Sequence, residues 1–175
     1  GGYGANVGAG DIDGDEVDEL LAGPGPGDVY GPQVRAFEWQ GASKGKINFY
    51  AYGTLKYGVQ VQGGGLDADA SHEMLTAPGP GAIFGPHIRG WNFDNVQLQP
   101  IQKINFFAYQ TLKYGVKVQG AFLDADPYHE MLTAPGPGVV FGPHVRGWNF
   151  DGVQLEPVQK VNFFAYQTLK YGTNV

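Results

Sequence analysis

The chain has 175 residues, of which 42% are hydrophobic and 16% charged, with a formal net charge of −6. That is apolar enough to build a core, so composition excludes intrinsic disorder. An acidic chain without Lys/Arg clusters argues against a nucleic-acid partner and against an anionic membrane surface. Cysteine is absent, which excludes a disulfide framework, a thiolate metal site and c-type haem attachment. No run reaches the ~20 apolar residues of a membrane helix, so no membrane insertion is expected. No leader peptide is visible; opening at Gly1-Gly2, the chain is expected to be a mature form or a stretch of something longer.

One unit is written three times. Leu-Lys-Tyr-Gly recurs at Leu55 to Gly58, Leu112 to Gly115 and Leu169 to Gly172, placing Tyr57, Tyr114 and Tyr171 at a constant period. Units are expected at 3–56, 57–113 and 114–170. Residues 171–175 match Tyr3 to Val7 and read as the first strand of a further unit or a strand-pairing tail. A period of this length signals stacked supersecondary units that bury their apolar faces only against neighbours.

In the first copy, the strand carrying Val7 runs into Gly10-Asp11-Ile12-Asp13-Gly14-Asp15-Glu16-Val17-Asp18-Glu19. Asp11, Asp13 and Asp15 alternate along a loop, with Gly14 placed for a sharp turn. Ca²⁺ takes 6–8 hard oxygen ligands, and carboxylates at positions 1, 3 and 5, a backbone carbonyl at 7 (Val17) and a further acid (Glu19) form one such set. Clustered acids repel one another without a cation. An Asp-rich turn solvated by water is the plainer alternative, and the cation site is the preferred reading here. Gly23-Pro24-Gly25-Pro26-Gly27 follows as a turn, then a short strand with Ala36-Phe37-Glu38-Trp39, then a shortened loop at Gly41 to Lys46.

The second copy shows four strand-like stretches at 58–62, 73–77, 87–93 and 103–109, with Pro78-Gly79-Pro80-Gly81 and Gly85-Pro86 as punctuation. The last stretch carries Ile104, Phe106 and Ala108 on one side and Phe107 and Tyr109 on the other. A strand apolar on both faces is expected between two layers. The third copy repeats this pattern, and no segment carries a helical period with caps. The fold class is therefore all-β: three four-stranded antiparallel blades of a β-propeller. About 4–8 blades close such a ring, so another chain or missing sequence is expected to complete it.

The acidic loops of the later copies are degenerate. Asp67, Asp69 and Glu73 match Asp13, Asp15 and Glu19, and so do Asp124, Asp126 and Glu130. Gly65 and Phe122 replace the first Asp, and Ala68 and Ala125 replace the hinge Gly. Weakened or abolished Ca²⁺ binding is expected there, with a structural turn as the preferred reading.

The first loop, followed by Leu20-Leu21-Ala22-Gly23-Pro24-Gly25, resembles an FG-GAP repeat, the integrin-type propeller blade. Gly142 to Arg146, Phe163 to Tyr166 and Tyr114 to Val118 are similar to the same class of repeat in bacterial surface and secreted proteins. The resemblance covers essentially the whole chain, and the acidic loop is its most specific part. It implies four-stranded blades around an axis, with Ca²⁺ held between the first and second strands.

Other constellations lead nowhere. His72-Glu73 and His129-Glu130 lack the second His of a zinc-protease helix. His72, His87, His129 and His144 recur with the repeat and are expected to pack or hydrogen-bond. Gly41-Ala42-Ser43-Lys44-Gly45 matches a nucleophile-elbow pattern without the strand-to-helix context it needs. Arg35, Arg89 and Arg146, recurring beside Trp39, Trp91 and Trp148, are expected to make inter-blade stacking contacts. No nucleophile or acid/base set stands out, so an enzyme is not expected. The expected role is an extracellular or cell-surface structural or adhesive protein, stabilised by Ca²⁺, that forms a homo-oligomer or polymer through its open end blades. The rival is a lectin-like module binding a glycan or cell-surface ligand, for which exposed Trp91 and Trp148 would speak.

Overall fold

Each Gly/Pro cluster ends a strand where the ladder loses its donor, and the segments between them pair with their sequence neighbours. The computed structural model describes residues 3–53, 56–110, 113–167 and 170–175. Gly1, Gly2 and the repeat-marking Leu55, Leu112 and Leu169 lie outside the described residues. Twelve strands and no helix are found among the described residues. Blade 1 comprises β1 (Ala5–Gly10), β2 (Glu19–Pro24), β3 (Gln33–Phe37) and β4 (Ser43–Tyr50). Blade 2 comprises β5 (Val59–Gly64), β6 (Glu73–Pro78), β7 (His87–Phe93) and β8 (Leu98–Phe107). Blade 3 comprises β9 (Val116–Ala121), β10 (Glu130–Pro135), β11 (His144–Phe150) and β12 (Leu155–Phe164). Every blade is an antiparallel sheet in plain sequence order, and none closes into a barrel.

The first strands of the three blades lie side by side. Asn6 Nδ2 donates to Val59 O at 2.7 Å. Here backbone meets backbone: a Cβ at Gly8 would sit 2.3 Å from Val61 O, and one at Gly63 2.6 Å from Ala9 O. Farther out, aromatic rings separate the sheets. Phe49 packs on Trp91 and Phe106 on Trp148, both with centroids 4.7 Å apart. Two apolar cores result, one between blades 1 and 2 and one between blades 2 and 3.

The fourth strand differs from expectation. In blade 2 it runs from Leu98 to Phe107 rather than from 103 to 109. Pro100 and the polar run Gln99, Gln102, Lys103 hide its first half. An edge strand tolerates Pro, because one row of its N–H groups faces away from the ladder. The expected burial on both faces also fails: Ile104 is buried, but Phe107 is 55% exposed and stacks on the His87 ring at 4.7 Å. Ala108 and Tyr109 lie beyond the strand, buried in the contact with blade 3. In blade 1, part of the expected loop at Gly41 to Lys46 is strand, since β4 begins at Ser43.

Blades are joined at Tyr-Gly hinges. Tyr57 and Gly58 both adopt positive φ, 71° and 61°, and Tyr114-Gly115 repeats this at 72° and 61°. Gly58 N donates to Tyr30 O at 3.0 Å, fixing the exit from blade 1. Tyr171 and Gly172 take the same path, donating to Gly138 O at 2.7 Å and Phe141 O at 3.0 Å. Thr173 to Val175 form no strand, so the expected pairing tail has no sheet partner among the described residues.

Candidate metal centres in the interstrand loops

Each loop between the first and second strands of a blade gathers carboxylates. The groups are Asp11, Asp13 and Asp15; Asp67, Asp69 and Glu73; and Asp124, Asp126 and Glu130. Within each group, one ligand atom per residue lies within 4.8 Å of the others, close enough to hold a metal ion. The spacing seen in the sequence is thus realised in space. Glu19, however, does not join the group of its own blade.

Blade 1 shows why. Asp11 is consumed by the loop backbone: Oδ1 accepts from Gly14 N (2.8 Å) and Asp15 N (3.0 Å), and Oδ2 accepts from Glu16 N (2.9 Å). Val17 donates its N–H to Asp15 Oδ1 at 2.9 Å. Buried Glu19 accepts from Ile12 N through Oε2 (2.8 Å) and from the Lys44 ammonium through Oε1 (3.0 Å). Lys44 Nζ also reaches Asp13 Oδ2 at 2.6 Å and Glu38 Oε1 at 3.0 Å. A built-in cation therefore already offsets part of this loop's negative charge. Burial works against the ammonium, but the carboxylates, Asp13 foremost, outweigh it and hold the Lys44 pKa above its ordinary value. Burial pushes the Glu19 carboxyl up, against the opposing pull of Lys44. Asp13 Oδ1 stays buried without a partner.

Blades 2 and 3 lack this lysine. Lys44 pairs with Ala36, and the residues at the matching register are Ile101 opposite Gly90 and Val158 opposite Gly147. Glu73 Oε2 still accepts from Leu66 N at 2.8 Å, and Glu130 Oε2 from Leu123 N at 2.6 Å. Glu73 Oε1 and Glu130 Oε1 are buried with no partner. Burial, with Asp67 and Asp69 adding to it, pushes the Glu73 carboxyl up to about 8. Burial raises Glu130 in the same direction. A buried carboxylate oxygen without a partner, beside two more carboxylates, fits a divalent cation with oxygen preference. Asp13 Oδ1 is a donor of the same kind, so each of the three loops offers a buried, unpartnered carboxylate oxygen, the first with Lys44 already beside it. Lys44 escaped notice because its partners lie 6 to 31 residues away. The available signal was a lone charge where the other copies have Ile101 and Val158.

The histidines work as hydrogen-bonding groups, as their recurrence suggests, His72 and His129 between blades and His87 and His144 within one. His72 Nδ1 accepts from Asp11 N at 3.1 Å, and His129 Nδ1 from Gly65 N at 3.1 Å. His87 and His144 each meet an Asn side chain at 2.6 Å.

The tryptophans correct an expectation. Trp91 and Trp148 are 7% and 8% exposed and donate Nε1–H to Thr76 and Thr133 Oγ1, both at 2.9 Å. They are core, because the aromatic ring of the preceding blade covers them. Their stacking arginines belong to the same strand, Arg89 lying 4.4 Å over Trp91. The guanidinium also meets the preceding blade, lying 6.0 Å over the Tyr52 ring and reaching Ala51 O at 2.6 Å. In blade 1, Arg35 covers Phe37 rather than Trp39.

Compared with protein-family models and with curated proteins, the chain matches none.

Proposed function

We propose that this chain is a non-enzymatic structural repeat protein of the extracellular or cell-surface kind. Its propeller-type blades are stabilised by Ca²⁺ and associate through their open ends. The FG-GAP resemblance supports the placement of the ion, and the observation that carries it is the orphaned pair Glu73 Oε1 and Glu130 Oε1. Asp67, Asp69 and Glu73, and in the next blade Asp124, Asp126 and Glu130, would hold the ions. Bound Ca²⁺ supplies positive charge and coordination, not reaction chemistry. Loops of this exposed kind suit the millimolar Ca²⁺ found outside cells.

The test is calorimetric titration of Ca²⁺ into chelator-treated protein, with thermal melts alongside. Two equivalents and a raised Tm are expected, both lost in Glu73→Gln/Glu130→Gln. Absence of binding at millimolar Ca²⁺ sinks the reading. A glycan-binding role retains one favourable observation, a cleft of about 300 Å³ between the loops of blades 2 and 3, lined by His72, Phe122, Tyr128 and His129. Glycan-array binding abolished by Phe122→Ala would favour that role instead.

A further inference from the structure

We propose that two copies of this chain join head to tail, Tyr166 of one copy entering a socket on blade 1 of the next. This rests on the self-association reading above and gives it an interface.

The evidence is an internal contact made twice and offered a third time. Tyr52 leaves blade 1 and buries its ring in blade 2, where its hydroxyl lies 2.8 Å from Thr76 O and 2.9 Å from His87 O. Arg89 returns a bond to the carbonyl beside it, Ala51 O. Tyr109 repeats this in blade 3 with Thr133 O and His144 O, both at 2.7 Å, and Arg146 reaches Ala108 O at 2.6 Å. Tyr166 is the same residue of the third unit. It is 66% exposed, against 5% for Tyr109.

The receiving surface lies at the other end of the molecule. Strand register aligns Ala22 with Thr76 and Arg35 with Arg89. Gln33 and Phe37 stand where β7 has His87 and Trp91. These four residues of blade 1 line an open apolar pocket of about 220 Å³. It is the place where Tyr52 and Tyr109 sit in the other two blades. Around it, Val7 is 64% exposed, whereas Val61 at the matching position is 2% exposed. The two differences inside the socket compensate each other. In blade 2, Thr76 Oγ1 accepts from Trp91 Nε1; in blade 1 both partners are replaced, by Ala22 and Phe37, so no polar group is stranded. The carbonyls of Ala22 and Gln33 remain to accept the Tyr166 hydroxyl, and Arg35 to reach Ala165 O. A contact between two different faces is heterologous, so it closes into a ring or continues as a filament.

The test is native mass by light scattering across a concentration series, with wild type and three single variants. Tyr166→Ala removes the plug and Ala22→Phe fills the socket. Arg35→Glu serves as a second socket variant should Ala22→Phe melt early. Wild type is expected to associate, and each variant to loosen that association at least about tenfold. Mixing Tyr166→Ala with Ala22→Phe is expected to restore a 1:1 complex, because one intact plug then meets one intact socket. If wild type associates but the variants do so equally well, or the mixture stays monomeric, this interface is overturned while self-association stands. If wild type is monomeric throughout, the self-association reading falls, and this interface with it.

Discussion

Lys44 and Ile101 occupy the same register in their sheets, and the difference between them decides what each loop requires. Lys44 gives Glu19 a permanent counter-charge; Ile101 leaves Glu73 to depend on a proton or a metal. Below about pH 4.5, folded and unfolded chains both hold the Glu73 proton. Between there and about 8 only the folded chain keeps it, so the stability this group contributes drains away as pH rises and is gone above 8. In chelator, the Tm of wild type relative to Glu73→Gln should therefore fall between about pH 5 and pH 8. A change of a few degrees is expected, since about 1 kcal/mol moves the Tm of a domain this size by about 2–4 °C. Ca²⁺ added at high pH should restore wild type alone. A parallel pH course for the two proteins would contradict this. Lys44→Met should also lower the Tm, because it strips the buried Glu19 carboxylate of its counter-charge; an unchanged melt would show Lys44 to be a bystander.

At the level of elements, the hinge between blades is a tightly constrained piece of backbone. Gly58 has φ 61°, and a Cβ there would fall 2.0 Å from Pro24 O. The left-handed conformation alone costs an L-residue about 1–2 kcal/mol, and the collision with blade 1 adds to it. Gly58→Ala should lower the Tm by at least several degrees, whereas Gly53→Ala, with no atom within 4 Å of the added Cβ, serves as the tolerant control. Equal melts would rule out the hinge. The second and third strands and the turns between them were legible in the sequence, because Gly-Pro clusters bracket a short apolar run. The start of the fourth strand was not, because Pro100 sits on an edge where the usual rule against Pro relaxes. The burial of Trp91 was illegible for another reason: its covering ring, Phe49, comes from the preceding unit. The acidic clusters were readable from spacing alone, but the counter-charge in the first was not, since Lys44 reaches it from a different strand.

At the scale of the whole molecule, the described residues form a series of nearest-neighbour contacts, and among them no core is common to all three blades. Stability in such an arrangement is a sum of unit and interface contributions. Tyr52→Phe removes the hydroxyl that reaches blade 2, at a cost of about 1 kcal/mol. Hydrogen exchange read by mass spectrometry should then show faster exchange in blade 1 than in blade 3. Uniform acceleration across all blades would mean that the chain unfolds as a single unit.

The glycine contacts of the first strands carry a geometric consequence. At Gly8 and Gly63 the sheets touch without side chains, whereas at Phe49–Trp91 and Phe106–Trp148 a pair of rings stands between them. Each blade is thus a tapered block, thin at its inner edge and thick at its outer one. Tapered blocks laid face to face cannot run straight; like the stones of an arch, they must curve toward the thin side. The curvature of any larger assembly is therefore written in residue sizes, and a single methyl at Gly63 would flatten the arch from its inner edge.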